Sequence, residues 1–280
     1  MRIQSHLSQI WQSDPRHYQI VVQSSLLVYG IFWLDFEMEL WGVATIISTA
    51  LLTQFLCTRF FKLPRFDFRS PLSSALSLCL LLRANTLWLM GLAAAITILS
   101  KFILRWKNKH LFNPSCFGIV AMIVLTGQVW VSPGQWGNVA ILAFFIAGLG
   151  GLVINRAARS DVTLAFLFFY SSLLFGRALW LGDPLTIPLH QLENGALILF
   201  SFFMISDPKT TPNSRAGRIL FAFLIALGAG FVYFWLYRTN GIFYALAFFA
   251  LFVPLIDWLL PGKCYQWKTA ESVSPSVKGD

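Results

Sequence analysis

Long apolar runs with almost no charge constrain this chain more than any other feature. The run from 241 to 260, for example, contains a single charged residue, Asp257. A helix that crosses the ~30 Å hydrocarbon core of a bilayer needs about 20 predominantly apolar residues, and several runs reach that length. A helix in a soluble core is seldom apolar on all sides for so long. The sequence therefore predicts an all-α integral membrane protein.

The composition agrees with lipid as the main solvent of the chain. Hydrophobic residues make up 57% of the sequence and charged residues 12%, and the mean hydropathy is +0.67. The net charge of +9 could suggest a nucleic-acid partner, but the basic residues lie in short loops between apolar runs and form no patch or stripe. We therefore expect contact with membrane lipid and no binding of nucleic acid.

Length and flanking residues divide the apolar sequence into about ten segments. In the first half they are 18–34, 40–58, 72–83, 86–104 and 114–130. In the second half they are 137–154, 161–181, 195–206, 219–237 and 241–260. The first run lacks a small-residue cleavage site, so it is predicted to be a retained span.

These segments predict four regions of the chain. Residues 1–17 form an N-terminal segment, 18–130 a first membrane repeat, 131–260 a second membrane repeat, and 261–280 a tail that is predicted to be disordered.

The basic residues predict the orientation. If alternate loops lie on opposite sides, 18 of the 21 basic residues fall on one face and only Arg83, Arg177 and Arg238 on the other. Because cytoplasmic loops carry an excess of Lys and Arg, the face with 18 is predicted to be cytoplasmic. Both termini are then cytoplasmic, and we expect a multi-pass protein of a bacterial plasma membrane.

Two of the segments are too short to cross a membrane alone. At 1.5 Å per residue, the roughly twelve residues of 72–83 or 195–206 span only about 18 Å. Backbone groups at membrane depth must be satisfied inside the protein, so these segments are predicted to be half-helices that lie in the bundle or line a cavity. A misplaced boundary is the simpler alternative.

The order of long and short segments repeats. A shift of 124 residues places Arg83 on Asp207 and aligns the two short segments. Each short segment is preceded by two spans and followed by two. Five segments per half would invert the second half relative to the first, as in many transporters, which bind their substrates near the interface between repeats.

Two polar motifs interrupt the apolar pattern, around Asn113-Pro114 and around Ser206-Asp207-Pro208. Capping explains both structurally, because Asn is a favoured N-cap, proline fits the first helical turn, and a residue before proline tends to end a helix. Functionally, helix ends at membrane depth expose backbone groups that suit an anion, a flavin edge or a cation. The candidate binding residues are Asn113, Ser115, Ser206, Asp207 and Thr210, and the candidate ion or transport residues are Asp207 and Arg83.

Other catalytic or metal-binding patterns are missing from the sequence. The four cysteines have no CxxC spacing, which argues against zinc and structural disulfides. The four histidines fall outside the predicted spans without ligand spacing, so we expect solvated loop residues. No catalytic residue or metal ligand is assigned.

The two polar motifs also carry a resemblance to a known family. Phe112-Asn113-Pro114 is similar to the Asn-Pro-Ala segment of the NqrB/RnfD family, and Met204-Ile205-Ser206-Asp207-Pro208 is similar to its Met-Ala-Thr-Asp-Pro segment. This family contains the membrane subunits of sodium-pumping NADH:quinone reductase and of the Rnf complex. The resemblance implies a flavin-associated subunit that moves electrons or coupled ions, a fold related to urea channels, and other redox subunits or a homo-oligomer as partners.

One departure bears on the cofactor. Family members commonly attach FMN to a threonine of a Ser/Asp-Gly-Ala-Thr signature, and this sequence has no such tetrapeptide. We therefore expect any FMN or riboflavin to be non-covalent. A small-solute channel or transporter of urea-channel-like fold without redox activity is the alternative, and an assembly factor whose motifs only shape the fold is a third possibility.

Overall fold

Helices dominate the structure, a computed structural model that describes residues 15–34, 36–107, 109–131 and 159–265. In the first half the helices are α1 (Pro15–Trp33), α2 (Leu40–Phe60), α3 (Arg69–Leu81), α4 (Leu87–Ile103) and α5 (Pro114–Thr126). In the second half they are α6 (Ser160–Leu181), α7 (Thr186–Leu192), α8 (Gly195–Leu199), α9 (Arg215–Phe234), α10 (Gly241–Ala250) and α11 (Val253–Leu259). A π-helical turn (Phe200–Met204) continues α8.

Among the described residues, three helices are long and apolar enough to cross a membrane: α2, α6 and α9. The pair α10 and α11, bent by 56° at its break, would make a fourth span. The chain is thus a helical membrane protein with several spans. Ten spans and two inverted repeats stay predictions, and the predicted span 137–154 lies outside the described residues.

One predicted segment end is wrong, and one predicted segment is bent in the middle. The segment 114–130 is not one helix, because α5 stops before Gly127, which adopts a left-handed φ of +63°. The segment 241–260 is likewise interrupted between α10 and α11, where Pro254 lies in the first turn of α11. Proline fits a first helical turn but cannot donate the hydrogen bond that a continuous helix requires.

The expectation of a purely α-helical fold is also corrected, because two short antiparallel ribbons are present. Strand β1 (Leu82–Ala84) directly follows α3 and pairs with β4 (Val129–Val131). Strand β2 (Arg105–Trp106) pairs with β3 (Lys109–His110) in a tight hairpin after α4. The first ribbon supplies hydrogen-bond partners to the backbone where α3 ends inside the protein.

Short helices occur at both positions where the sequence predicts them. The α3 helix has 13 residues, and the helix formed by α8 and its π turn runs over Gly195–Met204. Leu80 and Leu81 of α3 face Leu199 and Phe203 across a small void that Gln23 also borders. The two short helices therefore meet inside the molecule, where both are almost completely buried.

The order and packing of helices recur along the chain. A long helix, a short helix, a long helix and a further shorter helix follow one another as α2 to α5 and again as α6 and α8 to α10. In the first half α2 packs on α4 and α4 on α5, and in the second half α6 packs on α9 and α9 on α10. Helices α5 and α10 touch each other, and the Cys116 thiol of one donates to the Phe243 carbonyl of the other at 3.3 Å.

Candidate ligand-binding cavity

One face of α3 carries a row of four serines. Ser70, Ser73, Ser74 and Ser77 are spaced i, i+3, i+4 and i+7, which places them on one side of a helix. The hydroxyls of Ser74 and Ser77 each donate to the carbonyl four residues earlier, at 3.1 Å. A serine that bonds back in this way still has acceptor capacity on its oxygen, which Ser77 uses to accept from the Gln23 side-chain amide at 2.7 Å. The row therefore gives a buried helix a polar, hydrogen-bonding face.

This serine row forms one wall of a cavity of about 300 Å³. Phe202 and Phe203 of the π turn and Gln54 of α2 also line the cavity. The Oε1 atom of Gln54 is buried and has no hydrogen-bond partner among the described residues. Buried polar atoms are nearly always hydrogen-bonded, and this oxygen is an acceptor that a molecule in the cavity could use.

Four of the five predicted binding residues line this cavity: Asn113, Ser115, Ser206 and Asp207. Asn113 has the capping role that the sequence suggests, since its side-chain oxygen accepts from the Cys116 amide at 3.1 Å. Its amide nitrogen lies 3.4 Å from the Met204 carbonyl and 3.4 Å from Asp207 Oδ2. Asn113 therefore links the start of α5 to the end of the second short helix, so the two polar motifs meet in space.

Asp207 follows the π turn and forms hydrogen bonds with the residues that come directly after it. Its Oδ1 accepts from the Lys209 amide at 3.0 Å, while its backbone carbonyl accepts from the Thr210 and Thr211 hydroxyls. Capping thus accounts for one carboxylate oxygen. The other oxygen has a long contact to Asn113, and the side chain faces the cavity.

Thr210 and Arg83 do not line the cavity. Thr210 is buried behind Asp207, to which its hydroxyl donates. Arg83 lies in β1, 2% exposed, and its guanidinium donates to the carbonyls of Cys79 and Leu82 and stacks on Phe36. The shift that aligns Arg83 with Asp207 in sequence does not bring the two residues into one site.

Among the cavity residues that sequence reasoning misses, two that are not exposed and carry ionisable side chains lie at and beyond the end of α4. The first is Lys101, which the sequence assigns only to the basic loops. It is 6% exposed, and its ammonium donates to the backbone and hydroxyl oxygens of Ser70 at 3.0 and 3.1 Å. A buried cation among serines and near Asp207 is a candidate ligand group.

The second missed residue is His110, in the hairpin strand β3. The expectation that all histidines are solvated loop residues is wrong here, because the His110 ring packs into the cavity wall with Nδ1 3.1 Å from the Lys101 carbonyl. Burial, followed by the nearby charges of Lys101 and Arg105, lowers the pKa of His110 to about 4. The ring is therefore neutral at physiological pH and can donate or accept.

Three cations hold the segment that follows Asp207. Lys109 Nζ donates to the Thr211 carbonyl at 2.6 Å, Arg159 to that of Pro212 at 3.3 Å, and Arg218 to that of Asn213 at 2.8 Å. These donors come from three different parts of the chain and reach three consecutive carbonyls.

Two carboxylates bind two of these cations. Lys109 also pairs with Asp257 at 2.9 Å, and Arg218 pairs with Asp161 through both carboxylate oxygens. Asp257, which the sequence places near the end of an apolar run, is thus an anchor for the loop. The cavity wall that carries Asp207 is fixed by contacts from both halves of the chain.

Among the residues with described side chains, no group of three or more His, Cys, Asp or Glu could hold a metal ion. The arrangement suits a different kind of ligand, one that offers several hydrogen-bonding groups and an apolar or aromatic face.

Fold and cavity together define a class: a multi-span helical membrane protein with a polar cavity between two short, buried helices. The particular family follows from comparison with known proteins. The model of the "NQR2, RnfD, RnfE family" matches residues 122–266, just over half of the chain. The chain belongs to this family, and the matched range contains the motif around Ser206-Asp207-Pro208, whereas the motif around Asn113-Pro114 precedes it.

Curated relatives agree with this assignment. The chain is 32% identical over 165 residues to the RnfD protein of the ion-translocating oxidoreductase complex of Erwinia tasmaniensis, an alignment that covers 55% of this chain and 40% of that protein. It is 30% identical over 149 residues to the protein of the same name from Escherichia coli K12, covering 51% of this chain and 38% of the relative. The chain thus spans about two fifths of the length of the relatives that it matches.

Proposed function

We propose that this protein is a membrane subunit that takes part in electron transport coupled to cation movement, with a non-covalent flavin in the cavity. The observation that carries the proposal is the meeting of both family motifs at one cavity, where Asn113 reaches Asp207. The relatives are named as subunits of an ion-translocating oxidoreductase complex, which supports the same class of function and other redox subunits as partners.

The residues around the cavity fit a flavin. Its volume of about 300 Å³ lies at the lower end of the range for small-molecule sites. Ser73 and Ser74 offer hydroxyl oxygens that match a polyhydroxyl chain, and Phe202 and Phe203 offer aromatic surface. Lys101 and Lys209 supply positive charge that suits a phosphate or a reduced, anionic ring. When bound, a flavin would supply the electron-transfer chemistry that protein side chains lack.

We assign separate roles to the cavity residues. Asn113 and Ser115 would orient the ligand at the start of α5, and Ser206 would do so from the end of the second short helix. Asp207 would hold or pass a cation, because a carboxylate at this depth is costly to retain without a functional reason. Thr210 would act through Asp207, whose carbonyl it contacts. Arg83 would be an ion or transport residue on the non-cytoplasmic side of the protein.

The larger arrangement that we propose is two inverted five-segment repeats, with both termini in the cytoplasm of a bacterium. Recurrence of helix order and packing between α2 to α5 and α6 to α10 supports it. So does the position of the two short helices, which lie against each other inside the molecule as elements related by a central pseudo-twofold axis would.

The absorption spectrum of the purified protein tests the flavin directly. We expect the absorption bands of an oxidised flavin, and after acid precipitation we expect them in the supernatant. Colour that stays with the precipitate would contradict the non-covalent assignment, and a colourless protein would contradict the flavin.

The second candidate, a channel or carrier for a small polar solute, is favoured by the serine row alone. Nothing in a wall of four hydroxyls requires a redox group, and broken helices in an inverted repeat are a transporter plan. A colourless protein that conducts a small neutral solute into liposomes would support this candidate over the first.

A further inference from the structure

Basic and apolar side chains are interspersed from the last turn of α2 through the loop that follows it. The sequence from Arg59 to Phe66 reads Arg-Phe-Phe-Lys-Leu-Pro-Arg-Phe, and every residue in it is exposed. Phe60 is 80% exposed and Phe66 44%, although both are large aromatic residues. Large apolar side chains that stay exposed beside cations indicate a surface that meets a partner.

The hairpin after α4 extends this surface. Arg105, Trp106 and Lys107 are exposed at its tip, with Trp106 at 56%. Phe61 of the loop stacks on Phe102 at the end of α4, with ring centroids 5.5 Å apart and planes 13° from parallel. Loop and hairpin are therefore adjacent, and we call residues 59–66 together with 105–107 the basic-aromatic surface.

The cations of this surface have no acidic partners within the described part of the protein. Across those ranges, no carboxylate forms an ion pair with any of the five, which are Arg59, Lys62, Arg65, Arg105 and Lys107. Arg59 instead lies over the Phe55 ring, 5.5 Å from its centroid. The surface thus presents five positive charges beside exposed aromatic rings.

The position of the surface selects among anionic partners. Helix α2 is long and apolar enough to cross the membrane and ends at Phe60, so the loop begins where the hydrocarbon ends. Aromatic rings favour this interface, and basic residues next to it attract anionic lipid headgroups. We propose that the basic-aromatic surface binds anionic phospholipids of the leaflet that it meets, with phosphates on the cations and the exposed rings among the upper acyl chains.

Such a lipid would lie at the rim of the cavity. Leu63 and Arg105, both on the basic-aromatic surface, also line the cavity. This inference does not depend on the proposed redox function, because it needs only the exposed charges and the end of α2.

The experiment titrates the purified full chain, in a zwitterionic detergent, with phosphatidylglycerol and, separately, with phosphatidylcholine. Thermal unfolding and native mass spectrometry report binding. We expect phosphatidylglycerol to raise the unfolding temperature and to remain bound, and phosphatidylcholine to do neither. In the triple variant Arg59→Gln/Lys62→Gln/Arg65→Gln the apparent affinity for phosphatidylglycerol should fall roughly 100-fold, about fivefold per cation.

A matched control removes the same charge elsewhere. Arg215, Arg238 and Lys263 are exposed and lie outside the surface, so Arg215→Gln/Arg238→Gln/Lys263→Gln should keep wild-type affinity. A second variant, Phe60→Ala/Trp106→Ala, keeps every cation and should weaken binding several-fold if the rings enter the bilayer. Equal loss in both triple variants would overturn the proposal. So would a first triple variant that binds lipid normally but loses an acidic protein that co-purifies with the wild type.

Discussion

At the scale of single residues, Asp207 is a carboxylate that has both a structural and a functional explanation. Its Oδ1 accepts from the Lys209 amide, as a turn-forming aspartate does, but the side chain also faces the cavity beside Asn113. The structural role needs an acceptor oxygen, which asparagine retains. The proposed role in cation movement needs the negative charge, which asparagine lacks.

The substitution Asp207→Asn separates these roles. We expect it to change the free energy of unfolding by about 1 kcal/mol or less, since the bond to Lys209 can be kept. Cation uptake by proteoliposomes that contain the protein with its proposed partner subunits should collapse. Asp183→Asn, at a partly exposed carboxylate that pairs with Arg177 at 3.5 Å outside the cavity, is the control that should retain uptake. A folded, fully active Asp207→Asn protein would reduce the motif to a capping role.

His110 makes a prediction about pH. Burial lowers its folded-state pKa to about 4, below the ordinary value of 6.5. Between these values the unfolded chain binds more protons than the folded protein, so stability falls as the pH drops from about 6.5 to 4, at up to ~1.4 kcal/mol per pH unit. When the free energy of unfolding is measured at several pH values in this range, its dependence on pH should be weaker in His110→Gln than in the wild type. An unchanged slope in that variant would mean that other groups cause the acid sensitivity.

At the scale of elements, close packing of α4 on α5 positions the cavity residues at the start of α5. A Cβ atom on Gly118 of α5 would lie 1.8 Å from Thr97 Oγ1 and 3.3 Å from the Ala93 carbonyl. Only glycine permits this approach, because the opposing atoms belong to a fully buried threonine and to the backbone. The approach in turn sets where Asn113 and Ser115, at the start of α5, meet the second short helix.

The substitution Gly118→Ala should therefore destabilise the protein by about 1–3 kcal/mol, the usual range for overpacking a filled core. Adding Thr97→Ala should recover part of the loss. Gly176→Ala is the matched control, because nothing lies within 4 Å of its Cβ position and alanine favours the helix. Thermal unfolding in detergent measures all three, and equal effects of Gly118→Ala and Gly176→Ala would show that the packing contact is unimportant.

Sequence patterns predict the helical elements better than the cavity. The two short helices and the meeting of the Asn113 and Asp207 motifs follow from segment lengths and polar interruptions. The serine row does not follow, because the predicted segment starts at residue 72 whereas α3 starts at Arg69, which leaves Ser70 in a loop. Nor does Lys101, whose burial beside Ser70 depends on how α3 and α4 pack. The ribbon strand β4 is equally hidden, because Val129-Trp130-Val131 only lengthens an apolar run that a hydropathy profile counts as helix.

At the scale of the whole molecule, the proposed topology can be tested with the native cysteines. Cys57, Cys79 and Cys116 are buried, whereas Cys264 is exposed. A membrane-impermeant thiol reagent should therefore label Cys264 only from the cytoplasmic side. In a Cys264→Ser background, Lys62→Cys should label from the same side, and Glu37→Cys and Pro184→Cys from the opposite one. Labelling of Cys264 and Glu37→Cys from one side would contradict an inverted repeat with both termini inside.

A non-covalent flavin in the cavity between the short helices is tested most directly by flavin content. The amount released by acid is measured per mole of purified wild type, Ser73→Leu and Ser48→Leu. Ser73 lines the cavity, whereas Ser48 lies on α2 outside it. Ser48→Leu is therefore the control for Ser73→Leu, because it makes the same change of side chain away from the cavity. We predict close to one flavin per chain in wild type and Ser48→Leu and at least a tenfold loss in Ser73→Leu, about 1.4 kcal/mol or more of binding free energy. Equal flavin in all three proteins, or none in the wild type, would contradict the proposed site.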